Sequence, residues 1–455
     1  MGPATVTDKH FHLQPSFIAT RMGVSMSATR MGVSMLVALL TWALTFSIAL
    51  AQESTEDEPP LPERRVVINV DSAERALYRI AIPNLLEGGQ LGGQAADVIR
   101  NDLRLISLFE IVDSRSFIAN LQAEGLGVVK NAWTSIGAQG VVKGKLQSNG
   151  NNVSLDMRLY EVARGEQPIL SKRYSGSVNQ LRGYMHDFAN LILKALTGQE
   201  GAFGTRMVFA RKLGPGRKDI YVTDFDGSNQ TRVSSGKGNS MLPAFGPGGV
   251  WYSELRESGM CITSSTTKRP VIQGNGLNMG VTFCGGRMYF TSTRDGNSEL
   301  YSANADGSGV RRLTNHPGID VSPTCGPNGQ IIFVSNRHGG PQIFMMSGSG
   351  GEPKRLTYKG NHNQTPSFCQ KDGKELLAFS GRDGSGFDIF TLDLKTGEYT
   401  RLTQGQGINQ DPTFSPDCRM VAFASSRGGI FITGLDGLNQ TKVVSGNTST
   451  VRWGN

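Results

Sequence analysis

One block of sequence recurs along the second half of the chain, and this repeat constrains the fold more than any other feature. Each copy has a β-branched or aromatic stretch ending in Ser-x-Arg-x-Gly, a second such stretch, a turn, Arg-Leu-Thr and a stretch that contains proline. The arginines of the first motif are 43, 45 and 45 residues apart, at Arg294, Arg337, Arg382 and Arg427. Four strands per copy at this period are typical of β-propeller blades.

The spacing also predicts the number of blades. Arg211 extends the series upstream, and a degraded copy lies around Tyr252–Glu254. The 216 residues from Arg211 to Arg427 make five intervals of about 43, which predicts six blades. An α-solenoid has a similar period, but it requires amphipathic helical stripes, which this region lacks. Glycine supplies 58 of the 455 residues, as a fold with many tight turns requires.

The two ends of the repeat region predict how the ring closes. Residues 206–234 supply three strands of a blade with no innermost strand before them, whereas Thr448–Trp453 ends the chain where that strand is due. We therefore expect the C-terminal strand to pair into the first blade, because this removes an open sheet edge. The predicted fold class is an α/β N-terminal domain (65–198) followed by an all-β six-bladed propeller (199–455).

The region before the repeats has a different pattern. Ala95, Ile99 and Leu103 recur at helical spacing, and Asn152–Val162 alternates apolar and polar residues as a half-buried strand does. These patterns predict a mixed α/β domain. It contains no phosphate loop, dinucleotide fingerprint or metalloprotease helix, so no catalytic chemistry is indicated.

The N-terminus has the pattern of an export signal. Met35–Leu50 is an uncharged apolar run of 16 residues that follows Arg21 and Arg30 and ends at Ala49-Leu50-Ala51. This order predicts a secretory signal peptide over 1–51, and the near-duplicate RMGVSM within it allows a later start methionine. The alternative is a membrane anchor, but a span needs about 20 apolar residues. Export predicts a soluble mature chain outside the cytoplasm.

A tether and a mild positive charge follow the signal. Residues 52–64 are acidic and rich in proline, which predicts a flexible segment. Without residues 1–51 the formal net charge falls from +8 to +6, because three cationic residues and one anionic residue are lost. So small an excess over so long a chain does not indicate a nucleic-acid binder.

Motifs for catalysis and for metal binding are missing from the sequence. Gly-x-Ser-x-Gly occurs nowhere and no length is left for a hydrolase domain, so we expect neither an enzyme nor a cofactor. Asp224-Phe225-Asp226-Gly227 resembles a metal loop, but it lacks the later carboxylate, and a turn is favoured over a metal site. The five cysteines are widely spaced and odd in number, which argues against a disulfide framework.

The combination of export, an α/β domain and a six-bladed propeller with these repeats resembles the TolB family of the Tol–Pal system. The segment Leu196–Phe203 looks like the interdomain segment of that family, and Cys418 stands where its repeat has a turn glycine. A second stretch looks like the mature N-terminus of the family: Arg65, Val66, Val67, Ile68, Asn69, Val70, Asp71 and Ser72. The resemblance covers about residues 65–455.

The resemblance implies a monomeric periplasmic adaptor. Its propeller would bind the peptidoglycan-associated lipoprotein Pal, and its mature N-terminus would bind TolA, with other envelope lipoproteins or porins as further candidates. The implied role is outer-membrane integrity and constriction during cell division. The N-terminal segment would either dock on its own protein or be released to a partner by adding to a sheet edge. The alternative is a propeller lectin or ligand sensor, for which the predicted rim is poor in aromatic residues.

Blade topology predicts where a partner would dock. In a four-stranded meander the fourth-to-first and second-to-third connections emerge on the same face, so the Ser-x-Arg-x-Gly loops and the starts of the proline strands surround one channel mouth. The repeated arginines are expected to hold the blades together. Positions that vary between blades are the candidates for partner contact: His316, Asp320, His338, His362, Gln364 and Asp411.

Overall fold

The structure is a computed structural model of the chain, and it describes residues 77–234, 238–274, 276–384 and 386–454. The predicted signal peptide (1–51), tether (52–64) and N-terminal segment (65–72) lie outside the described residues. They therefore stay predictions.

A five-stranded sheet with helices forms the first part of the described chain. The strand order is β2-β1-β3-β4-β5, in which β1 is parallel to both neighbours and β3, β4 and β5 are antiparallel. The strands are β1 (Tyr78–Ala81), β2 (Phe109–Ile111), β3 (Gly140–Asn149), β4 (Asn152–Glu161) and β5 (Leu170–Ser177). The helices are α1 (Gly89–Leu105), α2 (Leu121–Glu124), α3 (Lys130–Thr134) and α4 (Leu181–Thr197).

The predicted patterns account for this α/β part. The stripe of Ala95, Ile99 and Leu103 lies in α1 and is buried with residues of α4 and of the sheet. In β4, the alternating apolar side chains are the buried ones. On the other face of the sheet, Trp133 of α3 lies in a second apolar cluster. The mixed α/β class is confirmed.

Six four-stranded sheets form the propeller, as predicted. Blade I has β6 (Arg206–Gly214), β7 (Arg217–Asp224) and β8 (Thr231–Arg232), and blade II has β9 (Asn239–Gly246), β10 (Gly249–Arg256), β11 (Gly259–Ser264) and β12 (Pro270–Ile272). Blade III has β13 (Asn278–Cys284), β14 (Arg287–Ser292), β15 (Glu299–Ala303) and β16 (Arg311–Arg312). Blade IV has β17 (Asp320–Cys325), β18 (Gln330–Ser335), β19 (Gln342–Ser347) and β20 (Lys354–Arg355).

The last two blades follow the same plan. Blade V has β21 (Asn363–Lys371), β22 (Lys374–Asp383), β23 (Gly386–Asp393) and β24 (Tyr399–Arg401), and blade VI has β25 (Asn409–Phe414), β26 (Met420–Ser425), β27 (Gly429–Gly434) and β28 (Thr441–Ser445). The chain ends with β29 (Thr448–Gly454), which returns to blade I.

The C-terminal strand closes the ring, and this confirms the sequence-based expectation. β29 pairs antiparallel with β6, with Trp453 opposite Met207 and Arg452 opposite Val208. Val451 is fully buried, and the Trp453 indole Nε1–H donates to Thr205 Oγ1 at 2.7 Å. Closure therefore pairs the backbone hydrogen-bonding groups at the inner edge of β6 and buries two apolar side chains.

Every innermost strand has a bulge at the same place. The pairing register shifts there, and the residue at the shift has a φ between +50° and +67°. These residues are Leu242, Gly280, Ser322, Thr365, Asp411 and Thr450. In four blades a proline follows, and proline suits a bulge because it has no N–H to pair.

The repeated arginines brace single blades, which differs from the expectation that they join blades. The Arg337 guanidinium lies over the rings of Phe333 and Phe344, 5.7 and 5.3 Å from their centres, and pairs with Asp320 at 3.0 Å. All four of these residues belong to blade IV. The motif places the arginine at the end of the second strand, where it faces the first residue of the same blade.

Other polar residues link neighbouring blades. The Thr357 hydroxyl donates to Gln342 Oε1 at 2.7 Å, and Asn363 Nδ2 of blade V donates to the same oxygen at 2.8 Å. Asp388 accepts from Thr403 at 2.7 Å and from Asn409 of blade VI at 3.4 Å. The threonine of Arg-Leu-Thr thus takes part in a link that crosses to the following blade.

Two disulfides also join neighbouring blades, so the prediction of no disulfide framework was wrong. Cys284 of blade III bonds to Cys325 of blade IV, and Cys369 of blade V bonds to Cys418 of blade VI. Cys261 remains as a buried thiol, which accounts for the odd number. The partners are 41 and 49 residues apart, about one repeat, because each bond joins neighbouring blades: Cys284, Cys325 and Cys369 lie near the ends of innermost strands, and Cys418 lies in the turn after β25.

Removal of residues 447–455 should lower the melting temperature by at least about 10 °C, because the inner edge of β6 and the partners of Trp453 become exposed. Circular dichroism or scanning calorimetry measures the change. A chain that ends at Gly454 is the matched control and should melt as the full chain does. An unchanged melt of the shorter chain would place ring closure elsewhere.

The double variant Cys284→Ser, Cys325→Ser should lose about 2–4 kcal/mol of the free energy of unfolding, because the bond links residues 41 positions apart and so restricts the unfolded chain. Denaturant unfolding measures this loss. Cys261→Ala is the control for cysteine removal without loss of a bond. Equal unfolding of the oxidised and the reduced wild-type protein would contradict the prediction.

Candidate functional site: the propeller rim

The predicted rim loops lie together at one end of the channel. Asn278 pairs with Ser292, Asp320 with Ser335 and Asn409 with Ser425, so each innermost strand starts beside the end of its second strand. The loops at the opposite end contact the α/β part of the chain: Asn439 Nδ2 donates to Ser107 Oγ at 3.0 Å, and Gln199 Nε2 donates to Asp372 at 3.2 Å. The predicted rim is therefore the end of the channel away from the α/β part.

Three exposed apolar side chains occupy equivalent positions on this rim. Leu277, Ile319 and Ile408 each precede the first residue of an innermost strand and are 42%, 39% and 47% exposed. We call them the apolar arc; they come from blades III, IV and VI. Sequence reasoning missed them, although each forms a recurrent apolar-Asn/Asp pair at the start of an innermost strand.

A repeated hydrogen bond fixes the backbone of the arc. The N–H of Leu277 donates to Thr293 Oγ1 at 2.9 Å, that of Ile319 to Asn336 Oδ1 at 2.7 Å, and that of Ile408 to Ser426 Oγ at 2.9 Å. Each acceptor lies in the loop that follows the second strand of the same blade. The apolar side chains are thus presented from a fixed backbone rather than from a long loop.

The predicted contact residues of blades IV and V surround this arc. His338 is exposed, with its ring 5.7 Å from that of Phe344. His362 is half-buried, its Nε2 lies 3.0 Å from Gln364 Oε1, and its ring meets Phe387 edge-on. His338, His362 and Gln364 therefore contribute surface to the rim.

His316 and Asp320 lie deeper than the sequence indicates. His316 Nδ1 accepts from the N–H of Gly318 at 2.9 Å, and its own N–H donates to Glu299 at 2.7 Å. Asp320 is fully buried, and burial raises the pKa of its carboxyl, whereas Ser335 and Arg337 lower it. Asp320 offers no surface to a partner, and its role in the structure is to hold Arg337.

Asp411 lies inside the channel, at the bulge of β25. Its Oδ2 accepts from the N–H of Thr450 at 2.8 Å, and its own N–H donates to Ser380 Oγ at 3.1 Å, so it links blades V, VI and I. Burial lowers the pKa of the nearby Arg452 guanidinium, and Asp411 opposes that shift. A cavity of about 420 Å³ in the channel is lined by the innermost strands of all six blades, with Thr413 and Phe414 contributed by β25.

A second polar site lies between the α/β part and the propeller. Asp102 of α1, His186 of α4 and Asp226 after β7 bring donor atoms within 4.8 Å of one another. The Asp226 carboxylate already accepts from the Arg182 guanidinium and from the N–H of Ser228. We therefore describe these residues as a charge network and not as a metal site; the sequence showed only a turn and a lone histidine here.

Among the described residues, no helix combines the length and apolarity that a bilayer span requires.

Comparison with known proteins agrees with this architecture. A family model described as the TolB amino-terminal domain matches residues 66–168, and one described as the TolB beta propeller domain matches residues 193–386. A protein TolB homolog of Chlorobium luteolum is 30% identical over 310 residues, which are 66% of this chain and 69% of that protein. The Tol-Pal system protein TolB of Anaeromyxobacter dehalogenans is 33% identical over 301 residues, 61% of this chain and 67% of that protein.

A solved structure extends the likeness to most of the chain. The crystal structure of TolB from Acinetobacter baumannii superposes with a TM-score of 0.73 at 26% identity, and covers 83% of this chain and 96% of that one. Both the α/β part and the ring of six blades thus have counterparts in proteins of one kind. The chain belongs to the TolB family of Tol–Pal system proteins.

Proposed function

We propose that this protein is a periplasmic adaptor that joins two partners of the Tol–Pal system. The propeller rim binds the peptidoglycan-associated lipoprotein Pal, and the mature N-terminal segment (65–72) binds TolA. In this role the protein serves outer-membrane integrity and constriction at cell division. Family membership supports the system, and the apolar arc is the single observation that supports the rim as the docking surface.

Exposed apolar side chains are common on protein surfaces. The apolar arc supports a docking surface because its three residues share one position in their blades, and not because they are numerous. Leu277, Ile319 and Ile408 lie at one structural position in three blades, on the end of the propeller that faces away from the α/β part. Their fixed backbones lower the conformational entropy that a partner must remove on binding. Apolar anchors surrounded by polar groups are the usual centre of a protein interface.

The charges beside the arc favour one partner chemistry. In blade V the place of the apolar residue is taken by His362, and the exposed Arg382 donates its backbone N–H to the His362 carbonyl at 2.8 Å. In blade V, His362 and Arg382 thus form a basic position that interrupts the apolar arc. A complementary partner presents apolar side chains to Ile319 and Ile408 and a carboxylate to the basic position between them.

The proposed TolA contact uses a segment that can extend a sheet. The five-stranded sheet has two edges, at the three-residue β2 and at the eight-residue β5. A strand-like segment such as residues 65–72 can pair with a sheet edge of its own protein or with that of a partner, since the backbone hydrogen bonds are equivalent. Competition between these two pairings would regulate access to TolA.

The double variant Ile319→Asp, Ile408→Asp should bind Pal at least about 100-fold more weakly. Each isoleucine contributes about 1.5–3 kcal/mol when buried at an interface, and 1.4 kcal/mol corresponds to tenfold in affinity. Isothermal titration calorimetry with purified Pal measures the change.

Val310→Asp is the matched control for this test, because Val310 is 39% exposed, as Ile319 is, but lies in the β15–β16 turn at the other end of blade III. It should bind Pal as the wild-type protein does. Wild-type affinity of the double variant, with an unchanged melting temperature, would exclude the arc as the docking surface.

Deletion of residues 52–72 from the mature chain should abolish capture of TolA and leave the affinity for Pal unchanged, because the two partners use separate parts of the chain. Pull-down with each purified partner measures both effects. A matched deletion of residues 52–64 removes the tether alone and should retain TolA capture. Equal loss of both partners, or of neither, would refute the division between rim and N-terminal segment.

A further inference from the structure

The strongest site that the adaptor function leaves unexplained is the buried pair of Asp102 and His186. Asp102 is 0% exposed and His186 is 3% exposed, and their Oδ2 and Nδ1 atoms lie 2.7 Å apart. Asp102 belongs to α1 and His186 to α4, the two helices that pack together beside the propeller. Polar groups at such a place cost stability unless their hydrogen bonds are complete.

The propeller covers this pair directly. The ring of the fully buried Phe225, in the turn after β7, meets the His186 imidazole edge-on at 5.4 Å between centres. Phe225 also packs against Phe203 of the connecting segment and Trp453 of the closing strand. Any movement of the α/β part away from blade I therefore exposes the pair to water.

Three further charged side chains face the pair. Arg182 of α4 forms an ion pair with Asp226 and lies 3.9 Å from Asp224, both of which belong to the propeller. Three carboxyl groups, those of Asp102, Asp224 and Asp226, therefore lie around a single guanidinium. Acidic groups outnumber arginine side chains at this contact.

The pair also has hydrogen-bonding capacity that no described residue uses. His186 Nε2 and Asp102 Oδ1 are both buried, and neither has a hydrogen-bond partner within the part of the chain that the structure describes. Burial raises the pKa of Asp102 to about 6, partly offset by its contacts with His186, and Asp226 raises it further. Uptake of one proton by this buried pair therefore stabilises the covered state of the interface.

We propose that the Asp102–His186 pair is a proton-operated latch between the α/β part and the propeller. With one proton bound in excess of its neutral-pH state, the pair holds the two parts together tightly. When that proton is lost, the uncompensated carboxylate favours exposure of the interface to water, and the contact loosens. The contact that changes strength is the one between α4 and the turn after β7.

Linkage between proton binding and closure of the interface gives the direction of the pH effect. Burial is the first cause that raises the pKa of Asp102 to about 6, so the covered state binds the proton more tightly than a state in which water reaches the carboxyl. The stabilisation is therefore present at low pH and is lost as the pH rises through about 6. Between pH 7.5 and pH 5 the equilibrium for closing the interface should shift roughly tenfold toward the closed state.

Hydrogen exchange of the full mature protein tests the latch. Protection factors of amides in residues 186–193 and 220–228, corrected for the intrinsic pH dependence of exchange, should rise roughly tenfold from pH 7.5 to pH 5. Amides of β18 in blade IV, far from the interface, serve as an internal reference. A change of less than twofold at the interface would overturn the proposal.

Asp102→Asn separates the latch from general acid effects, because the amide oxygen can still accept from His186 while the titrating charge is gone. In this variant the interface should show the same protection at both pH values. Asp97→Asn, on the exposed side of the same helix, is the matched control and should respond as the wild-type protein does. A full pH response in Asp102→Asn would also overturn the proposal.

A direct titration keeps the test independent of how well the variant folds. Carbon-13 NMR of the wild-type protein with labelled aspartate should show one carboxyl, coupled to the His186 ring signals, with a midpoint near pH 6. Titration of every carboxyl below pH 4.5, with the His186 ring unaffected, would exclude the latch. None of these measurements depends on Pal or TolA.

Discussion

Ring closure by the last strand is the constraint on which the rest of this structure depends. A blade buries its faces only against its two neighbours, so an open ring would leave two blade faces and one strand edge in water. β29 removes that edge by pairing with β6. The same strand supplies Trp453, which packs on Phe225 and donates to Thr205, so closure also builds the contact with the α/β part.

Repeated residues and variable residues have separate tasks in this ring. Arginines such as Arg337 stack on aromatic rings and hold the first strand of their own blade, whereas threonines and asparagines such as Thr357 and Asn363 meet on one acceptor between blades. These contacts are internal, so they recur. The exposed ends of the innermost strands are under no such packing constraint, and this is where Leu277, Ile319 and Ile408 occur.

The two ends of the channel are stabilised differently. The end that faces the α/β part has both disulfides nearby and contacts such as Asn439 to Ser107, and it adjoins the buried charges around Asp102. The rim end has short loops fixed by hydrogen bonds to the backbone N–H groups of Leu277, Ile319 and Ile408, and it presents these exposed apolar side chains. A rigid ring with one covered end and one open end suits an adaptor, because a partner at the open end leaves the α/β part accessible.

The architecture could be predicted from the sequence because short-range patterns determine its strands, its helices and its repeat. A period of about 45 residues with four strand-like stretches requires blades, and the missing innermost strand of residues 206–234 requires Thr448–Trp453 to supply it. The alternation in β4 and the stripe in α1 are equally local. The rim loops could be placed for the same reason, since a meander of four strands fixes which connections share a face.

The predictions that were wrong concerned contacts between residues far apart in the sequence. The odd number of cysteines argued against a disulfide framework, whereas the separations of 41 and 49 residues have meaning only once neighbouring blades are superposed. Asp320 was expected on the surface, but it is fully buried and forms an ion pair with Arg337. The repeat by itself determined the ring, its six blades and its closing strand. Only the tertiary structure decided which side chains are exposed on the rim and which charges, such as Asp102 and Asp226, meet in the interior, because burial and charge proximity arise from packing between segments that no local pattern connects.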